Sequence, residues 1–95
     1  MPAYLISTIE ITDPAGYEEY RKLVAPVLQR YGGKFIVRGG AIHYLEGEWR
    51  PKRVVLVEFD SIEKAKAFND SPEYAAAKTA RHRTSNSSVI VVEGL

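Results

Sequence analysis

The residues of this chain best suited to chemistry are few and scattered. Glu58 closes the apolar run Arg53-Val54-Val55-Leu56-Val57-Glu58-Phe59, a carboxylate at the end of the most hydrophobic segment. Left unpaired in a low-dielectric interior, its pKa rises and it becomes a general acid/base. Met by Arg38, Arg53 or Arg81, it is a buried ion pair that stays ionised, and the expense of a lone buried charge favours that arrangement. Arg38 stands just before the pair Gly39-Gly40. Its planar guanidinium offers a fork to a ligand's carboxylate, or to Glu46 or Glu58 of the chain itself. Tyr74 and Arg81 lie seven residues apart on the segment PEYAAAKTAR, hence on one helical face two turns apart. With Ser71 they form a polar seam in an alanine-filled stretch. That seam is either a ligand contact or close helix–sheet packing with the arginine stem laid along it.

Two further residues are weaker candidates. His43, inside Ala41-Ile42-His43-Tyr44-Leu45-Glu46, has an imidazole suited to shuttling a proton, although a plain hydrogen-bonded histidine is commoner. Trp49, the chain's single tryptophan, sits in a turn, placed either to stack over a ligand or to pack on a partner subunit. The basic triplet Arg81-His82-Arg83 is accounted for by the dipole of a helix C-terminus. Two histidines without a cysteine do not make a metal site. No HExxH, glycine-rich phosphate loop or GxSxG elbow occurs, so neither metal nor cofactor is expected.

The elements that must position these residues follow from pattern. Residues 3–11, AYLISTIEI, read as a strand ending at Thr12-Asp13-Pro14. Asp13 is a helix N-cap and Pro14 suits the first helical position. Tyr17, Tyr20, Val24, Val27, Leu28 and Tyr31 then mark one helical face, and Gly32-Gly33 stops the helix. Pro26 interrupts it. One bent helix is the preferred reading and two short helices the alternative. Residues 34–38 form a second strand, continued by residues 41–46 beyond a bulge or bend at Gly39-Gly40. Residues 47–52 turn, and residues 53–59 form a third strand whose unbroken apolar centre calls for cover on both faces. Ser61 caps a helix over residues 62–69. Ser71-Pro72 restarts it to about residue 82, residues 84–88 are a loop, and residues 89–93 are a last strand.

The resulting order, βαββαβ, is the ferredoxin-like α+β arrangement: an antiparallel sheet with two helices on one face. The strands are apolar on both faces, so the second face is expected to pack on a copy of itself in a two-fold homodimer. Composition agrees with a single domain over residues 1–95: 45% hydrophobic, 26% charged, net charge +1 and no cysteine. So small a domain is marginal alone, and association is its remaining reinforcement. The charge balance points to neither nucleic acid nor an anionic membrane surface. The N-terminus lacks a signal-peptide pattern, no run is long enough to span a membrane, and a cytoplasmic location is expected.

RGG at 38–40, LEGEW at 45–49, Pro51, Arg53, VEF at 57–59, SPEY at 71–74, Arg81 and VEG at 92–94 together resemble the small bacterial family called domain-of-unknown-function thirteen-thirty, over nearly the whole chain. The resemblance implies membership of the dimeric α+β barrel superfamily. It also implies a pocket between the sheet and its helices or at the barrel interior. It implies no one reaction, since that superfamily includes cofactor-free monooxygenases, lactone isomerases, haem-degrading enzymes and ligand-sensing domains. Trp49, Asn69 and His82 are residue types used by the haem-degrading relatives, at poorly matching spacing.

The leading expectation is therefore a homodimer with one small pocket per subunit. Arg38 and Arg81 hold an anionic or carbonyl-bearing metabolite, Tyr74 hydrogen-bonds it, Ser71 and Trp49 complete the contacts, and Glu58 is the acid/base candidate with His43 behind it. Turnover, if present, is cofactor-independent proton transfer or oxygenation. The alternatives are a non-catalytic ligand-binding or stress-associated structural dimer and, more remotely, a haem protein.

Overall fold

A computed structural model describes residues 1–95. Its elements are β1 (Ala3–Ile11), α1 (Pro14–Arg30), β2 (Lys34–Arg38), β3 (Arg53–Phe59), α2 (Ile62–Asn69), α3 (Pro72–Thr84) and β4 (Ser85–Glu93). The four strands form one antiparallel sheet in the order β2-β3-β1-β4, with the helices on one face, which is the ferredoxin-like arrangement. The expected caps are in place. Asp13, Ser61 and Ser71 each accept a hydrogen bond from a backbone N–H of the first turn that follows. Helix α1 is continuous through Pro26. Pro26 and Lys22, whose carbonyl loses its helical partner there, are both exposed, so that carbonyl is open to solvent rather than stranded in the core.

Alternation along β1 sends Ala3, Leu5, Ser7 and Ile9 towards the helices. Opposite them on β3 lie Phe59, Val57, Val55 and Arg53. The core fills the space above, where Phe68 is packed between Phe59 and Tyr74 with ring centroids 5.6 and 4.4 Å away. Tyr4, Ile6, Thr8, Val54, Leu56, Glu58, Ile90 and Val92 alternate onto the other face of the sheet, which no helix covers.

Three local expectations are corrected. Residues 41–46 do not extend β2; positions 39–52 contain no regular element. Gly39, in the left-handed region at φ +74°, turns the chain away, and its N–H donates to Val54 O at 3.0 Å as the last tie to β3. Beyond it the loop closes on itself, with Tyr44 Oη donating to Pro51 O at 2.7 Å and the Arg50 guanidinium over the Tyr44 ring. The irregularity of β2 falls between Phe35 and Val37, not at the glycine pair. Finally, residues 85–88 are strand rather than loop. The β1 ladder runs on through Ile9↔Ser87 to Ile11↔Ser85, so pairing with a long neighbour overrides the weak strand preference of serine and asparagine.

Candidate functional site

Between α1, α3 and the sheet lies a narrow cavity of about 40 Å³. That is well above the ~10–15 Å³ needed for one water, and small for a large ligand. Its walls are mainly apolar, with Leu5, Val24, Leu28, Val55, Val57 and Phe68 among them, and three tyrosines, Tyr17, Tyr20 and Tyr74, reach in. The charged lining residues are all arginines: Arg21, Arg38, Arg53 and Arg81. Of these only Arg21 has a carboxylate partner, Glu18 at 2.8 Å. The other two ion pairs of the chain, Arg30–Glu73 and Lys64–Asp60, lie elsewhere.

Arg81 is the centre of the arrangement. It is only 6% exposed. Its Nη1 donates to Tyr74 Oη at 2.9 Å, and Nη2 stands 3.0 Å from His82 Nε2. Because a guanidinium only donates, His82 Nε2 is the acceptor. The Arg81 Nε has no partner at all. Tyr74 Oη lies 3.2 Å from Tyr20 Oη. Burial, followed by the neighbouring Tyr74, pushes the Tyr20 hydroxyl far above the usual tyrosine range. Burial and then Tyr20 raise Tyr17 as well, with Arg53 pulling the other way. Both hydroxyls therefore stay protonated at neutral pH and serve as hydrogen-bond partners rather than bases.

Ser71 sets the start of this face without touching the cavity. Its Oγ accepts from Tyr74 N at 3.1 Å and donates to Phe68 O at 2.8 Å, fixing where α3 begins and so where Tyr74 points. Arg38 reaches the cavity because of the irregularity in β2. Phe35 pairs with Val57 and Arg38 with Val55, so the extra residue puts both on the helix face. The Arg38 guanidinium lies 4.2 Å from the Phe35 ring centre, exposed at the cavity's edge. Arg53 opens β3 on the same face, and its guanidinium occupies space that a Cβ on Gly39 would fill.

Arg38, Tyr74 and Arg81 thus meet around one cavity, whereas Glu58 does not line it. Glu58 stands on the open sheet face, opposite Tyr4 and Lys34, and accepts from Tyr4 Oη at 3.3 Å. The ion pair expected between it and an arginine is absent because the arginines occupy the other side of the sheet. His43 and Trp49 are exposed in the 39–52 loop, away from the cavity, with Trp49 beside Ile9, Glu10 and Arg50. Tyr17, Tyr20 and Arg53 were not singled out by sequence as ligand contacts. The two tyrosines fall on the apolar stripe of α1 and read as core. Arg53 shares its side of β3 with Val55 and Val57, but the unbroken apolar run 54–57 carries no signal in sequence for which side that is.

The family described as Domain of unknown function (DUF1330) matches residues 2–95. A comparison with proteins of curated function finds no match. Among solved structures, RPA0582, a protein of unknown function from Rhodopseudomonas palustris, is similar with a TM-score of 0.79 at 20% identity, over 99% of this chain and 82% of that one. SnoaB, a cofactor-independent oxygenase from Streptomyces nogalater, is similar with a TM-score of 0.70 at 15% identity, over 99% and 93%. Rv0793 from Mycobacterium tuberculosis is similar with a TM-score of 0.64 at 14% identity, over 100% and 96%. At these identities the likeness is one of fold.

Proposed function

This chain belongs to the family Domain of unknown function (DUF1330), and from that premise we propose that it binds a small anionic or carbonyl-bearing metabolite in the cavity between sheet and helices. The observation that carries this reading is Arg81, a guanidinium withdrawn from water, held by Tyr74, and without a carboxylate beside it. A buried cation lacking its counter-ion is costly, and an anionic ligand removes the cost. Arg53 and Arg38 add positive potential, the tyrosine hydroxyls offer hydrogen bonds, and the apolar walls exclude water.

Titrating the protein with acetate, pyruvate and benzoate tests the reading. At least one is expected to raise the melting temperature at about 10 mM, as ligand binding to the folded state must. Arg81→Gln is expected to remove the effect. Melting curves indifferent to every small anion sink the proposal.

A second reading, a cofactor-independent enzyme, is favoured by the fold likeness to SnoaB. In that case the guanidinium and hydroxyls stabilise an anionic form of the substrate. No aspartate, glutamate or histidine lines the cavity, so the substrate must lose its proton readily by itself. Oxygen uptake with easily ionised phenols or enols distinguishes turnover from binding.

A further inference from the structure

Three buried side-chain polar atoms in this chain lack a partner, and two of them are guanidinium nitrogens of residues lining the same cavity: Nε of Arg53 and Nε of Arg81. They come from different walls. Arg53 rises from the start of β3, its Cζ 5.9 Å from the Tyr17 ring centre. Arg81 descends from α3, tied to Tyr74 Oη. The rings of Tyr17 and Tyr20, 5.2 Å apart, connect the two places, for Tyr17 covers Arg53 and Tyr20 Oη meets Tyr74 Oη. Neither arginine takes part in an ion pair, and no acidic residue lines the space between them.

One carboxylate satisfies one guanidinium fork. Two buried forks fixed on separate walls of a mainly apolar space that no acidic residue lines call for two carboxylates. We infer that the ligand is a small dicarboxylate, one end held by Arg81 with Tyr74 and the other by Arg53, with a short hydrocarbon spacer against Val55 and Val57. This rests on the anion-binding reading above and narrows it to a dianion.

Calorimetric titration of the full chain at neutral pH with malonate, succinate and glutarate, with their monomethyl esters, and with inorganic phosphate tests the inference. One diacid is expected to bind at least about tenfold more tightly than its own monoester. Arg53→Gln is expected to bring the diacid down to the ester's affinity and leave the ester unchanged, while Arg81→Gln weakens both. Equal affinity of diacid and ester overturns the dicarboxylate assignment but leaves anion binding standing. Phosphate binding as tightly as the best diacid also overturns it, in favour of one compact anion shared by both arginines. No binding by any probe overturns both readings. Should Arg53→Gln fail to fold, Arg53→Lys keeps the charge without the fork; a full diacid preference in that variant also overturns the role given to Arg53.

Discussion

A guanidinium taken out of water without an anion beside it loses several kcal/mol of hydration, and Arg81 is in that position. Its hydrogen bonds to Tyr74 and His82 return only part of the loss. Arg81→Met is therefore expected to stabilise the ligand-free protein by about 1 kcal/mol, several degrees of melting temperature for a chain of this size. Tyr74 Oη keeps Tyr20 Oη as a partner in that variant. A calorimetric scan showing a large loss of stability would make Arg81 structural. Tyr20 yields a pH prediction. Burial raises its folded-state pKa above the ordinary tyrosine value of about 10, so its contribution is fully present below that value and lost as pH climbs towards the folded pKa. Melting temperature is expected to fall above about pH 10, where exposed tyrosine ionises, and Tyr20→Phe to flatten that alkaline limb.

Among the elements, β2 shows how one residue decides a face. In an uninterrupted strand Phe35 and Arg38, three apart, point to opposite sides; the extra residue in β2 brings both to the helix side. Deleting Ile36 is expected to leave Arg38 opposite Val55 on the helix side, since Phe35 and Arg38 then stand two apart in an uninterrupted strand; anion binding read by titration is expected to persist, and its loss would show that the bulge itself shapes the site. The start of α3 depends on Ser71 in a more ordinary way. Ser71→Ala is expected to cost about 1 kcal/mol in urea unfolding, since it removes the cap that also orients Tyr74. These starts were legible because a cap and the proline after it are neighbours in sequence. The turn of β2 was not, because glycines advertise a bend and Ile36 does not.

For the molecule as a whole, the open sheet face is the largest unresolved demand. Ile90 is 57% and Val92 45% exposed, in line with Ile6 and Tyr4, and the 39–52 loop holds out Leu45 and Trp49, 90% and 71% exposed. An apolar face of this kind on a small chain is expected to be covered by a second copy. Light scattering at micromolar concentration is expected to give twice the chain mass, and Ile90→Lys the single mass with a lower melting temperature. A monomeric parent protein removes the pairing. Glu58, Tyr4 and Lys34 share that open face, so pairing through it would make Glu58 a candidate for specificity between subunits rather than for chemistry.

The order of strands and helices, the three N-caps, the helical face carrying Tyr74 and Arg81 and the doubly apolar strands are written in local pattern: each depends on residues within a turn or two of one another. Which side Glu58 takes was not readable, because Val54-Val55-Leu56-Val57 offers no alternation from which to count phase. The pairing of β3 with β1 sets that phase, sending Arg53 inward and Glu58 outward, and the offset in β2 adds Arg38 to the inward set. The chemistry of the cavity, arginines and tyrosines without an acid, is thus a product of strand register, a relation between segments distant in the chain that only the assembled sheet defines.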